Sequence, residues 1–155
     1  MSVQQSFEKL ISLAIQREED AYEFYLEAAK IAELSSSAKL LQDLAKQEVG
    51  HKEKLERALT EGVCETFACD TQSDFEDMEL SKYLVDIPLA PDSLPQDILI
   101  IAIKKEDAAT NFYQTLSELT GNAGHRTIFD TMAKEELNHK NRLEQMYDDI
   151  FQPDN

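Results

Sequence analysis

Glycine and proline are scarce, at four residues each in a chain of 155, which points away from a loop-rich or all-β domain. Cysteine is scarcer still, and Cys64 and Cys69 alone cannot build a disulfide framework. Basic residues are few: 15 Lys and Arg stand against 31 Asp and Glu, a formal net charge of −16. A chain of that sign is repelled by phosphate backbones and anionic lipid surfaces, so no partnership with nucleic acid or membrane is expected. No apolar run approaches the ~18 residues of a transmembrane helix. The opening MSVQQSFE has neither the basic start nor the apolar stretch of a secretory signal. These absences point to a soluble, cytoplasmic protein.

What is present is a helical pattern. Hydrophobic residues make up 42% of the chain, enough for a core despite the charge, and the length suits one domain, 1–155. Apolar spacing is helical between residues 3 and 35, 37 and 60, 95 and 120, and 125 and 151. Ser35, Ser36 and Ser37 interrupt the first stretch, Gly62 reads as a C-terminal stop, and Ser93 with Gln96 reads as a capping box around Pro95. At alternating steps of three and four, one stripe per helix emerges. The first is Phe7, Ile11, Ala14, Glu18, Ala21, Tyr25, Ala28 and Ala32, and the second Leu41, Leu44, Glu48, His51, Leu55 and Ala58. The third is Leu99, Ala102, Glu106, Ala109, Tyr113 and Leu116, and the fourth Phe129, Met132, Glu136, His139, Leu143, Met146 and Ile150. Short turns at 34–37 and 121–124 make antiparallel hairpins over 3–62 and 95–151, and 62–94 is a long crossover. The expected fold is all-α, a ferritin-like four-helix bundle with one crossover that starts helix 3 parallel to helix 2. Asp74–Leu84 reads as a short helix within the crossover.

The two hairpins are copies of one another. AIQREEDAYEFY (14–25) and AIKKEDAATNFY (102–113) share six of twelve positions, and LAKQEVGHKEKLE (44–56) and MAKEELNHKNRLE (132–144) share seven of thirteen. Both alignments keep an offset of 88, which predicts a pseudo-twofold axis.

The repeat carries polar residues into the core stripes. Each hairpin gives a lone Glu from its first helix (Glu18, Glu106) and a Glu-x-x-His from its second (Glu48 with His51, Glu136 with His139). Residues three apart share a helix face, so each pair converges on one point. Four buried carboxylates would repel one another, and burying even one unpaired costs several kcal/mol. Two divalent cations cancel four carboxylates, with two imidazoles as neutral ligands, and such oxygen-rich sets suit iron or manganese. A structural ion-pair cluster is the alternative, but the stripes hold no basic partner for it.

Tyr25 and Tyr113 lie seven residues after the lone glutamates. Either can donate its hydroxyl to a ligand carboxylate, or simply pack in the core. Gly50, beside His51, reads as permitting close helix contact or as incidental, and His125 reads as a surface residue. Cys64 and Cys69 read as free thiols, with a redox pair the lesser alternative.

At these residues the sequence resembles the rubrerythrin branch of the ferritin-like di-iron carboxylate superfamily, over nearly its whole length. The resemblance rests on the A-I-x-x-E-x-x-A-x-x-F-Y repeats and the two E-x-x-H motifs. It implies a di-iron centre that handles peroxide or dioxygen, with Glu18, Glu48, His51, Glu106, Glu136 and His139 as ligands and Tyr25 and Tyr113 supporting them. Two features depart from the family. Rubrerythrins carry an extra ligand Glu one turn after the helix-3 Glu, where Ala109 stands, and a rubredoxin domain with paired C-x-x-C motifs, which these residues lack. Bacterioferritin shares the ligand pattern, but its haem-ligating Met is replaced by Val49. Caged ferritins add a fifth helix, so storage in a shell is the weaker expectation.

The leading expectation is therefore an oxidoreductase with two iron ions, or manganese or a mixed pair, acting in oxidative stress. Its partners are peroxide or dioxygen and a separate electron-donor protein, and by analogy the chain is a homodimer. The alternatives are a ferroxidase or iron-handling protein, a di-iron hydroxylase of an organic substrate resembling the demethoxyubiquinone hydroxylases, and a bundle without catalysis.

Overall fold

The stripes dictate four long helices, because each buries its apolar face only by packing on the others. In the computed structural model, which describes residues 3–32, 35–61, 93–119 and 123–152, these are α1 (Val3–Ile31), α2 (Ser35–Glu61), α3 (Pro95–Leu119) and α4 (Ala123–Phe151). No strand occurs among the described residues. The architecture is the expected all-α, ferritin-like bundle. α1 packs closely on α2 and α3 on α4, and α2 also meets α4. Helices of 25 to 29 residues are about 40 Å long.

One boundary differs from the sequence reading. The three serines form the first turn of α2 rather than a break before it, and Ser37 is buried with its Oγ donating to Met146 Sδ at 3.3 Å. At α3 the Leu94 carbonyl accepts a helical bond from Ile98 N at 3.0 Å, and the helix begins at Pro95. Pro95 then takes the first helical position, where its missing N–H costs nothing. Gln96 donates Nε2 to Tyr147 Oη on α4 at 2.7 Å. The predicted 74–84 helix, Cys64, Cys69 and the side chains of Phe7 and His125 lie outside the described residues.

The apolar core falls into two clusters. One joins Ile11 and Ala14 of α1, Leu55 of α2, Ala109 to Leu116 of α3 and Phe129 to Ala133 of α4. The other joins Ala21 to Ala29, Leu40 to Ala45, Ile98 to Ala102 and Leu143. The ends that meet make α2 parallel to α3 and α1 antiparallel to α3, so Glu61 and Pro95 stand at opposite ends of the bundle. Between the clusters lies a layer where the stripes carry Glu and His. Ala32, Met146 and Ile150, at the bundle end, are only partly buried. A β-carbon at Gly50 would meet nothing within 4 Å, so close helix contact is not what this glycine serves. No helix among the described residues is long and apolar enough to cross a membrane.

Candidate metal centre

All six predicted residues meet in the polar layer. Glu18 comes from α1, Glu48 and His51 from α2, Glu106 from α3, and Glu136 and His139 from α4; none is more than 1% exposed. His51 Nδ1 lies 2.9 Å from Glu136 Oε1, 3.3 Å from Glu48 Oε1 and 3.8 Å from Glu18 Oε2. His139 Nδ1 lies 3.5 Å from Glu48 Oε1, 3.5 Å from Glu136 Oε1 and 3.6 Å from Glu106 Oε2. The imidazoles stack nearly parallel, 6.0 Å apart.

Each of the six has one polar atom held from outside and one left bare. The held carboxylate atoms are Glu18 Oε1, which accepts from Tyr113 Oη, and Glu106 Oε1, which accepts from Tyr25 Oη. Glu48 Oε2 and Glu136 Oε2 accept from Arg17 Nη1 at 2.6 and 2.7 Å. His51 Nε2–H donates to Glu135 Oε2 and His139 Nε2–H to Gln47 Oε1, the latter at 2.7 Å. The bare atoms are Glu18 Oε2, Glu48 Oε1, His51 Nδ1, Glu106 Oε2, Glu136 Oε1 and His139 Nδ1, all buried without a hydrogen-bond partner. Apart from Arg17 Nη2, they are the only buried side-chain polar atoms so left among the described residues. Unpaired buried polar atoms each cost ~1–3 kcal/mol, more when charged, so six facing one point call for a common ligand. They divide into two sets, each within 4.8 Å: Glu18, Glu48, His51 and Glu136, and Glu48, Glu106, Glu136 and His139. Glu48 and Glu136 belong to both. The cluster is able to hold metal, and its oxygen and imidazole donors fit a pair of iron or manganese ions better than structural zinc.

The tyrosines cross between hairpins. Seven residues along a helix is about 10 Å, too far for Tyr25 to reach Glu18 on its own stripe. The pseudo-twofold axis instead brings it to Glu106, and Tyr113 to Glu18.

Arg17 is the residue that stripe reading missed. It sits beside Glu18, off the three-and-four spacing, yet only 8% of it is exposed and its guanidinium enters the carboxylate layer. Nη1 also reaches Glu18 Oε1 at 3.2 Å, and Nη2 lies 3.6 Å from Glu106 Oε1. The cluster therefore has the basic partner that the stripes lack. A signal existed: Arg17 and Lys105 each precede the lone Glu of their repeat. Lys105 is also buried, but its Nζ lies over the Phe24 ring, 4.9 Å from the centroid. One arginine against four carboxylates leaves an excess of negative charge that protons or cations must meet.

The protonation equilibria show this imbalance. Burial pushes the Glu18 carboxyl up, with Glu48 adding to it and Arg17 opposing. Burial, then Glu106 and Glu48, hold Glu136 well above the usual carboxylate range. Burial also presses on Glu48, but Arg17 and His51 outweigh it and keep that carboxyl ionised below the usual range. Burial disfavours the His51 cation, yet Glu135, Glu136, Glu18 and Glu48 overcome it and raise this imidazole far above its ordinary value. Burial, with the adjoining carboxylates, keeps both tyrosine hydroxyls protonated and donating.

A sequence profile of the rubrerythrin family matches residues 4–68 and 97–155. The chain belongs to the rubrerythrin family. A solved structure, that of the hypothetical protein Pfu-1136390-001 from Pyrococcus furiosus, superposes with a TM-score of 0.69 over 92% of this chain and 88% of that one. At 22% identity, that likeness concerns the fold. No curated protein sequence is significantly similar. Within this rubrerythrin-family bundle Ala109 is buried at 1% among Phe112, Phe129 and other apolar residues, so the position one turn after Glu106 supplies no carboxylate.

Proposed function

We propose that this protein is a non-haem di-iron oxidoreductase that reduces peroxide or dioxygen. The observation that carries the reading is the set of six bare donor atoms, divided into two groups that share Glu48 and Glu136. Glu18, Glu48, His51 and Glu136 would hold one metal and Glu48, Glu106, Glu136 and His139 the other, with His51 and His139 each supplying a nitrogen. When bound, an iron pair supplies the two electrons that reductive O–O cleavage takes up. The chain's own residues do the rest. Tyr25 and Tyr113 fix Glu106 and Glu18 by their outer oxygens, leaving the inner ones aimed at the centre. Arg17 holds the outer oxygens of Glu48 and Glu136 and offsets part of the carboxylate charge. Burial of all six residues keeps bulk water from the reacting ligands. Electrons come from a separate protein, and two copies of the chain pair as a homodimer in the cytoplasm.

An anaerobic Fe(II) titration of the metal-free protein, with metal analysis after desalting, tests this directly. Two irons per chain are expected. Loss of all iron, with zinc and manganese also failing to bind, would end the metal reading. Mixing the loaded protein with peroxide or with oxygenated buffer then ranks the two oxidants. Iron that stays through repeated cycles supports an oxidoreductase, whereas iron leaving as product marks a ferroxidase. The hydroxylase reading gains no support from the apolar cavity of about 380 Å³ at the bundle end, whose lining includes Ala28, Leu41, Ile98 and Phe151 but none of the six residues.

Metal loading should also release protons. Glu18, Glu136 and His51 all hold protons more tightly than usual in this setting, and a cation must displace them. Metal affinity therefore rises with pH and falls as the solution is acidified. Zn(II) added to weakly buffered protein with an indicator dye should acidify the solution; no proton release would show that the carboxylates are already ionised.

A further inference from the structure

We infer that the two metal positions are unequal, because Glu135 and Gln47 support the two histidines differently, and that the position containing His51 fills first. The inference rests on the paired-metal reading above. The repeat makes this asymmetry visible. At the offset of 88, Glu18 matches Glu106, Glu48 matches Glu136, His51 matches His139 and Tyr25 matches Tyr113. The residue before each paired Glu breaks the match: Gln47 in the first hairpin and Glu135 in the second. Each reaches across the α2–α4 contact to the other hairpin's histidine, Glu135 to His51 Nε2 and Gln47 to His139 Nε2.

The two acceptors have different consequences. A carboxylate only accepts, so Glu135 keeps a proton on His51 Nε2 and makes Nδ1, which faces the centre, the nitrogen that a cation takes. Its bond is charge-assisted, about twice as strong as a neutral one, and makes the imidazole a stronger donor to a cation. A glutamine side chain can turn and offer its NH₂ instead, so Gln47 fixes the His139 tautomer less firmly and adds no charge. Glu135 is partly exposed, with Lys54 Nζ at 3.8 Å from its other oxygen, so it can be altered without emptying the core. Arg17 does not reverse the order: it touches Glu48 and Glu136, common to both positions, and its approach to Glu18 and Glu106 differs only between 3.2 and 3.6 Å. Glu135 and Gln47 act through the histidines and are positioning residues.

Zn(II) titration of protein labelled with ¹⁵N in histidine reads the order directly, since a diamagnetic ion leaves imidazole signals observable. At one equivalent the His51 signals move to their bound positions, and those of His139 follow between one and two. Glu135→Gln weakens the first binding step by roughly 10–100-fold, the usual cost of losing such a partner. The exchange variant, Glu135→Gln with Gln47→Glu, reverses the order, so His139 responds first. Simultaneous movement of both histidines in the natural chain, or an unchanged order in the exchange variant, would overturn the inference while leaving the paired site intact. Fewer than two zinc ions per chain at saturation would instead overturn the paired-metal reading and this inference with it.

Discussion

Replacing Glu48 and Glu136 together with alanine removes metal loading while leaving a helical bundle. These two residues belong to both donor sets, so the double substitution strips each set from four members to two. What remains, Glu18 with His51 and Glu106 with His139, has too few donors for retention through desalting. The fold should tolerate the change better than most core truncations. Truncating two buried side chains leaves cavities at some cost, but it also removes two carboxylates from a layer where four compete for one arginine. Circular dichroism should report near-native helix, and iron after desalting should fall from two per chain to none. Full iron loading in this variant would overturn the assignment of the six residues.

The sequence told the six polar residues of this layer apart because they sit on stripes that are otherwise apolar. Ile11, Ala14, Ala21, Leu44, Leu55, Ala102, Phe129 and Leu143 are all buried where the spacing puts them, and Glu18, Glu48, His51, Glu106, Glu136 and His139 share their burial. What the stripe could not show is which residues support those donors. Arg17, Gln47 and Glu135 each stand one residue before a predicted ligand, about 100° around the helix, and reach the site by the length of their side chains. The tyrosines were visible but their partners were not, since the crossing to the opposite hairpin depends on how the copies dock.

Arg17→Met should lower the stability of the metal-free protein sharply and that of the loaded protein much less. The guanidinium is a buried cation that touches all four carboxylates, and their attraction holds it charged against the cost of burial. Removing one partner from a buried charge cluster costs about 3–5 kcal/mol, because the remaining charges are left uncompensated. For a chain of this size that corresponds to a fall in Tm of about 10 °C. The experiment belongs at pH 8, where protons are least available to take the place of the arginine. In the loaded protein two divalent ions bring four positive charges to the same carboxylates, so the loss of one more is felt less. The thermodynamic cycle then fixes a second result. If the variant is destabilised more without metal than with it, its metal affinity must rise by the difference, so binding isotherms and melting curves measure one quantity twice. An equal fall in Tm with and without metal, together with unchanged affinity, would mean that Arg17 and the metals do not share the carboxylates and that the arginine serves the fold alone.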